Sequence, residues 1–308
     1  MAFPAKQARP TADVNLAMTA TWPCGRCRGD RGRSLASLAL ALLLWLAAAC
    51  ELPAAETSAN AGAPRDLQTI VADGVLRVAM TRFDLPPFHH RRGDGLVAGP
   101  EADLARGIAR ALNVEVAFVT DAESFDAVVQ AVANGRADIG ISKLSKTYYR
   151  LMRVRFSDPY ITLRHSLLYN RARLASLADG RAPAEVLRDF HGSIAVIAGS
   201  AYADFARRNF PHATVIERQS WTAVVDALRQ AKVDAIYRDE FETRMLLKKE
   251  PSLNVGFGAA VISDQFAFLS VAVCDSCAKL QEFINYHLEE TRGTFTLKGL
   301  LGAGDRDE

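Results

Sequence analysis

Two fifteen-residue segments of this chain follow one pattern, and this repeat restricts the fold more than any other feature. Residues 127–141 read AVVQAVANGRADIGI, and residues 223–237 read AVVDALRQAKVDAIY. Each segment has apolar residues at helical spacing, a turn with a basic residue, an aspartate and then a short apolar strand. Two widely separated copies predict two similar lobes and not a solenoid of many short repeats.

The segments around the two copies alternate between strand and helix patterns. Val75–Met80 is typical of a strand, Glu101–Leu112 has helical spacing, and Val114–Val119 is typical of the next strand. This alternation predicts an α/β fold in which helices cover mostly parallel sheets. The 308 residues are 49% hydrophobic and 23% charged, which indicates a globular protein with a sizeable core. The net charge of +2 gives no indication of nucleic-acid binding.

The N-terminal part of the chain has the order of a secretory signal. A basic cluster precedes an apolar segment, residues 35–49, that is shorter than a comfortable membrane span. The Ala-Ala-Ala-Cys sequence ending at Cys50 resembles a bacterial lipobox, although Leu46 falls one position earlier than the usual leucine. We expect residues 1–49 to be removed, with translation starting at Met1 or Met18, and Cys50 to be lipidated. A plain signal peptide and an uncleaved anchor are the alternatives.

Export affects the interpretation of the remaining segments. Residues 50–65 are rich in alanine, proline, serine and glycine, which predicts a flexible tether. Cys274 and Cys277 form a CxxC pattern in the exported part, where a local disulfide is favoured. Two free thiols are the alternative, and a zinc site would need a second ligand pair. We expect no metal and no cofactor.

The stretch from Asp138 to Tyr160 contains the best candidate for ligand recognition. Arg150 follows the hydroxyl residues Ser145 and Thr147, and a guanidinium fork near hydroxyls and turn amides suits a bidentate grip on a carboxylate. The alternative is a surface helix that Thr147 caps, with Arg150 in solvent.

Several short motifs occur in a characteristic order along residues 66–300. They are Gly99-x-Glu101-x-Asp103-Leu104, Gly135-x-x-Asp138, Thr147-x-x-Arg150, Phe156-Ser157-Asp158-Pro159-Tyr160 and Gly199-Ser200. In their order and spacing they resemble the bacterial extracytoplasmic solute-binding proteins for polar amino acids, family 3. Pro100 departs from that family, which usually has an aromatic residue there.

The resemblance implies a two-lobed periplasmic binding protein type 2 fold, in which each lobe is a mostly parallel sheet with covering helices. Lobe one would comprise residues 66–166 and 264–308, and lobe two residues 172–253. Hinge strands would cross at about residues 167–171 and 254–263. Ligands prefer such interfaces between domains, and hinge closure couples binding to a shape that a partner can recognise.

The resemblance also implies a set of ligand-binding residues. Arg150 would hold the ligand carboxylate, helped by Ser145 and Thr147 in lobe one and by Gly199 and Ser200 in lobe two. The further residues are Asp239, which would accept the α-ammonium, and Phe125, which would pack on the aliphatic part of the ligand. A loop carboxylate or helix cap is the alternative for Asp239, and a core position is the alternative for Phe125.

Two basic residues depart from the family pattern. Arg82 stands where the family often has an acidic or polar residue, and Lys143 stands where a small residue is common. We hypothesise that both make the binding site electropositive and favour a ligand with an acidic side chain or second carboxylate. The alternative is that both side chains point to solvent, as most lysines and arginines do.

The family resemblance implies a non-enzymatic monomer that captures an amino acid or similar small polar carboxylate for the permease of an ABC importer. It would act in the periplasm or at the outer face of the membrane, anchored there if Cys50 is lipidated. Related cyclohexadienyl dehydratases provide an enzymatic alternative, but they need a glutamate just after the Gly-Thr of lobe two. Here residues 199–204 read GSAYAD, with Asp204 as the first acidic residue. A ligand-sensing lobe for a separate signalling partner is the third alternative.

Overall fold

The computed structural model describes residues 62–292. The predicted signal peptide (residues 1–49), Cys50 and residues 50–61 of the predicted tether lie outside the described residues. The strands are β1 (Val75–Thr81), β2 (His90–Arg91), β3 (Val97–Ala98), β4 (Glu115–Ala122), β5 (Ile139–Gly140), β6 (Val154–Asn170), β7 (Ser193–Ile197), β8 (Thr214–Arg218), β9 (Ala235–Asp239) and β10 (Phe257–Cys274). The helices are α1 (Leu67–Asp73), α2 (Pro100–Ala111), α3 (Phe125–Ala133), α4 (Tyr148–Leu151), α5 (Arg171–Ala178), α6 (Pro183–Arg188), α7 (Ala201–Asn209), α8 (Trp221–Arg229), α9 (Glu240–Lys249), α10 (Leu253–Gly256) and α11 (Ala278–Glu290).

Eight strands form one sheet in the order β4-β1-β5-β10-β6-β9-β7-β8. The pairs β1–β4, β1–β5, β7–β8 and β7–β9 are parallel, whereas β6 and β10 are antiparallel to their neighbours. The sheet therefore consists of two parallel three-stranded groups joined by two long central strands. This arrangement confirms the predicted α/β class with mostly parallel sheets.

The long strands β6 and β10 connect the two groups. They pair along nearly their whole length, and the pairing is interrupted between Ile262 and Phe266. From His165 onward, β6 also pairs with β9, so this part of the strand belongs to the second group. The predicted crossings at residues 167–171 and 254–263 fall on or beside these two strands. The division into two lobes at those positions stays a prediction.

The two repeat units adopt the same local structure. The first forms α3 and β5, and the second forms α8 and β9. Asp138 accepts a hydrogen bond from the backbone N–H of Arg77 at 2.7 Å, and Asp234 accepts one from the backbone N–H of Ser193 at 2.8 Å. Arg77 lies in β1 and Ser193 in β7, the central strand of each parallel group. The repeated aspartate therefore ties each unit to the neighbouring strand.

Serine residues fix the starts of the repeated helices. Ser124 accepts from the backbone N–H of Ala127 to cap α3, and Ser220 accepts from that of Ala223 to cap α8. Behind these caps, Val128 and Val224 are fully buried against the sheet. Burial of such a side chain is worth about 2 kcal/mol, so packing of the apolar face is a main source of helix stability.

The C-terminal cysteines of the described region join β10 to α11. Cys274 is the last residue of β10, Cys277 directly precedes α11, and the two form a disulfide. Among residues 62–292 no helix is long and apolar enough to cross a membrane. The same residues hold no cluster of three histidine, cysteine or carboxylate side chains placed to bind a metal ion.

Candidate functional site

A small cavity lies between side chains from the two halves of the chain. Its volume is about 20 Å³, which is close to the space that one water needs. Side chains from both halves of the chain line it: Phe125, Lys143, Ser145, Arg150, Ser200, Ala201, Tyr202, Arg238, Asp239 and Leu269. An amino-acid-sized ligand therefore needs the lining side chains to move or the two halves to separate.

Arg150 extends its guanidinium into this cavity from the short helix α4. Thr147 caps the helix, because its hydroxyl accepts from the backbone N–H of Arg150 at 3.2 Å. Nε donates to Asp126 Oδ1 at 2.9 Å, Nη1 donates to the Ser145 carbonyl at 3.0 Å, and Nη2 lies 3.4 Å from the Gly199 carbonyl. A guanidinium has five N–H donors, so two donors stay available to a ligand.

Burial affects the charge of Arg150 as well as its position. Its side chain is 1% exposed. Burial lowers the pKa of the Arg150 guanidinium, and the negative charge of Asp126 opposes this shift. The alternative interpretation was a surface helix that Thr147 caps, with Arg150 in solvent. The structure has the Thr147 cap, but Arg150 is buried. A buried, charged arginine with free donors is suited to an anionic partner.

The other residues expected near the ligand carboxylate lie around Arg150. Ser200 precedes α7, and its hydroxyl donates to the Ile197 carbonyl at 2.6 Å. Gly199 has a φ of 63°, and a Cβ on it would approach Ser124 to about 3.1 Å. Glycine is favoured at such a position, since it adopts positive φ without steric cost. Gly199 contacts Arg150 but does not line the cavity itself.

Phe125 forms an apolar wall of the cavity. It begins α3, is 4% exposed and packs edge-on against Phe83 with ring centroids 5.6 Å apart. The site and core interpretations of this residue are therefore compatible, because one face packs inside while another lines the cavity.

Lys143 is held in an ion-pair network. Its Nζ donates to Asp239 Oδ2 at 3.1 Å and to Glu242 Oε1 at 2.7 Å. The same ammonium lies 4.4 Å from the centroid of the Phe88 ring. Its backbone N–H donates to the buried Glu101 carboxylate at 2.7 Å, and its φ is 47°. Strained positive φ in a residue with a side chain is typical of functional sites.

Asp239 has two roles. Its Oδ1 accepts from the backbone N–H of Glu242 at 3.0 Å and caps α9, as the alternative interpretation expected. Its Oδ2 accepts from Lys143, which belongs to the other half of the sheet. Burial favours the neutral carboxyl, but the charges of Lys143 and Arg238 outweigh it, and the pKa of Asp239 lies below its ordinary value. Asp239 is therefore ionised and already paired with a cation.

Arg238 and Tyr202 line the cavity, and our sequence analysis did not select them. Arg238 is 4% exposed, and its Nε and Nη1 have no hydrogen-bond partner. Its guanidinium forms two ion pairs, one with Asp239 at 3.7 Å and one with Glu242 at 3.6 Å. The buried hydroxyl of Tyr202 has no hydrogen-bond partner among the described residues either.

A sequence signal existed for both missed residues. Arg238 is the one basic residue in the strand that ends at Asp239, and arginine is rarely buried in a strand unless it is paired. Tyr202 follows Ser200 by two residues at the start of α7. Both missed residues therefore lie within two positions of a residue that the sequence predicts at the site.

Arg82 lies apart from the cavity. Its side chain is 62% exposed and pairs with Glu123 at 3.1 Å. Of the two basic residues that depart from the family pattern, Lys143 thus lies in the cavity wall and Arg82 lies at the surface.

The first comparison with known proteins concerns a family model and curated sequences. Residues 76–197 match the model of the bacterial extracellular solute-binding proteins, family 3. Cyclohexadienyl dehydratase from Pseudomonas aeruginosa is 28% identical over 211 residues, which cover 67% of this chain and 74% of that enzyme. A probable histidine-binding protein from Neisseria gonorrhoeae is 31% identical over 137 residues, which cover 44% of this chain and half (50%) of that protein.

The second comparison concerns solved structures. An amino acid ABC transporter substrate-binding protein, AbpA from Streptococcus pneumoniae bound to L-arginine, superposes with a TM-score of 0.61 at 23% identity. The match covers 77% of this chain and 98% of that protein. This likeness confirms the predicted two-lobed periplasmic binding protein fold.

Proposed function

We propose that this chain, in which residues 76–197 match the bacterial extracellular solute-binding proteins of family 3, captures a small carboxylate solute between its two lobes. The solute is an amino acid or a similar polar acid, and the loaded protein delivers it to the permease of an ABC importer. The curated relatives support this proposal, because they include histidine-binding, glutamine-binding and arginine-binding proteins.

The observation that carries the proposal is the buried guanidinium of Arg150. It contacts Asp126 from one half of the chain and Gly199 from the other, and it keeps two donors for a ligand. A carboxylate placed there would bind to both halves at once. Binding and closure of the lobes would therefore be coupled.

The first test is a thermal-shift screen of the exported part of the chain with small carboxylates and the common amino acids. A ligand that binds only the folded protein raises Tm. Arg150→Met is expected to weaken binding by at least about 100-fold, because the charged hydrogen bonds to the ligand are lost. Arg153→Met is the matched control, since Arg153 stacks on Tyr149 at the surface, with 3.7 Å to the ring centroid. Unchanged affinity in Arg150→Met would contradict the proposal.

The proposed location is the periplasm or the outer face of the membrane. The family is extracellular by its description, and the N-terminal sequence supports export. We include in the proposal that Cys50 carries a lipid anchor. Metabolic labelling with an alkyne-tagged fatty acid should mark the chain, and Cys50→Ala should abolish the label.

A dehydratase function is the second candidate, because the cyclohexadienyl dehydratase aligns with two thirds of this chain. The acidic residue after Ser200 is Asp204, whose side chain is exposed and outside the cavity lining. A general acid must reach the proton-accepting atom of its substrate, and the position of Asp204 outside the lining gives no support for this role. Incubation with prephenate should leave its absorbance unchanged, and turnover that Asp204→Asn abolishes would establish the enzymatic function instead.

A further inference from the structure

Lys143 occupies the acceptors that would serve the α-ammonium of an amino acid. Its Nζ lies 3.1 Å from Asp239 and 2.7 Å from Glu242, and its side chain is 3% exposed. An alkylammonium with carboxylate and aromatic partners is the same arrangement that a bound α-ammonium would adopt. Lys143 thus supplies, from within the chain, the cation that an amino-acid ligand would bring.

A second ammonium next to Lys143 is disfavoured for two reasons. Both oxygens of Asp239 already accept hydrogen bonds, one from Lys143 and one from the backbone N–H of Glu242. Two like charges within a few ångströms of each other in a buried site also repel strongly, because little water screens them.

The groups that still lack a partner at the cavity are mostly donors. Among the described residues, Arg238 Nη1 and the Tyr202 hydroxyl have no hydrogen-bond partner, and Arg238 Nε has only its ion-pair contact with Asp239 at 3.7 Å, although all three atoms are buried. Arg150 keeps two donors as well. Buried polar groups normally have partners, so this set of donors indicates a ligand with several acceptor oxygens.

We infer that the solute is a small dicarboxylic acid without an α-ammonium, with one carboxylate on Arg150 and the other on Arg238 and Tyr202. The inference rests on the proposed function, because it names the ligand class of that binding site. It departs from the amino acids that the curated relatives bind. Titration with succinate and with glutarate, which differ by one carbon, determines the chain length of the acid.

Matched ligand pairs test whether the α-ammonium is excluded. Succinate and aspartate differ by the α-ammonium, and so do glutarate and glutamate. Calorimetric titration of the exported part of the chain should show at least one deaminated acid binding about 10-fold or more tightly than its amino acid partner. Tighter binding of aspartate, glutamate or any other amino acid would overturn the inference.

A substitution at Lys143 should reverse this preference. In Lys143→Ala, Asp239 and Glu242 become free to bind an ammonium, so the ratio of the two affinities should shift by about 10-fold or more toward the amino acid. Lys232→Ala is the control, because Lys232 is exposed in the turn of the second repeat unit. If Lys143→Ala does not fold by circular dichroism, Lys143→Gln removes the charge and keeps a hydrogen-bond donor. An unchanged ratio in the folded variant would overturn the role of Lys143.

The second carboxylate has its own matched pair. Succinate and butyrate have four carbons each, and butyrate has a single carboxylate. Succinate should bind about 10-fold or more tightly, and Arg238→Gln should remove most of this advantage. Equal binding of butyrate and succinate to the parent protein would overturn the assignment of Arg238.

The outcomes separate the two levels of the proposal. If an amino acid binds and no deaminated acid does, the inference is wrong and the proposed function stands. If neither class binds, the proposed function is wrong, and the inference fails with it.

Discussion

The two repeat units place opposite charges at equivalent positions. Lys143 is the fifth residue after Asp138, and Asp239 is the fifth residue after Asp234. The backbone leads both side chains to the same cavity, where they meet at 3.1 Å. The repeated architecture therefore determines where the two residues lie, and their individual identities determine which charges meet.

The residues one position earlier show the same contrast. Ser142 is fully buried and bonded to Thr81, with 3.1 Å between their hydroxyl oxygens. Its counterpart, Arg238, is buried, and its Nε and Nη1 make no hydrogen bond among the described residues. At this pair of positions one residue is thus hydrogen-bonded inside the fold, whereas the other presents unused donors. The second half therefore adds donors to the two that Arg150 provides from the first half.

The largest expected effect comes from removing one of the two equivalent charges, at Lys143 or at Asp239. Lys143→Met and Asp239→Asn should each lower the free energy of unfolding by about 3–5 kcal/mol, because each removes one charge from a buried ion-pair network and leaves the opposite sign in excess. The double variant should lose less than the sum, with a coupling energy of about 2 kcal/mol. Urea denaturation at neutral pH measures all four proteins.

The control for this cycle is the pair of Arg173 and Asp234 in the second half. Its arginine is 52% exposed, so Arg173→Met should cost at most about 1 kcal/mol. Additive single effects at Lys143 and Asp239 would show that their contact contributes nothing specific.

A second prediction concerns a buried histidine beside the second unit. His165 pairs in register with Asp239, and burial lowers its pKa to about 4 despite the charge of Asp239. The unfolded chain binds a proton below about pH 6.5, whereas the folded chain does so only below about 4. The contribution of His165 to the free energy of unfolding should therefore be fully present above pH 6.5. It should decrease by about 3 kcal/mol as the pH falls to 4.

His165→Phe should remove this part of the pH dependence. Denaturation of both proteins at a series of pH values between 7 and 4 measures the slope. His191→Gln is the control, because His191 is exposed next to Asp189. The same slope in His165→Phe and in the parent protein would assign the pH dependence to other groups.

The smallest expected effect is the difference in stability loss between substitutions of the two repeated aspartates. Asp138 is completely buried and pairs with Arg65 and Arg77, whereas Asp234 is 12% exposed and pairs with the half-exposed Arg173. Asp138→Asn should cost about 3 kcal/mol and Asp234→Asn about 2 kcal/mol at pH 7. Thermal unfolding checks the order. Equal losses would mean that the backbone hydrogen bond common to both aspartates dominates and that the arginines contribute little.

Much of the fold could be predicted from the sequence because its signals are local. The apolar spacing of residues 127–141 and 223–237 depends on neighbours within a few positions, and the structure forms α3, β5, α8 and β9 there. The family motifs predicted the two-lobed arrangement, and the comparison with AbpA confirms it.

The site was harder to predict because its contacts join distant parts of the chain. Arg150 lay in a recognisable motif, and the structure places it in the cavity wall. The pairing of Lys143 with Asp239 spans 96 positions. It depends on how the fold brings the end of β9 close to the residues that follow β5. No local pattern contains that information. Arg238 was missed for a similar reason, since its role at the cavity depends on nitrogens that make no hydrogen bond among the described residues.

The bond between Lys143 and Asp239 has a kinetic and thermodynamic consequence for any amine in the surroundings. The ammonium of Lys143 is attached to the same chain as its acceptor, so it competes at an effective concentration of about 1 mM or more. A free amino acid would have to displace that internal competitor to reach Asp239. Under the proposed ligand class, discrimination against amines would therefore be a property of the covalent chain itself.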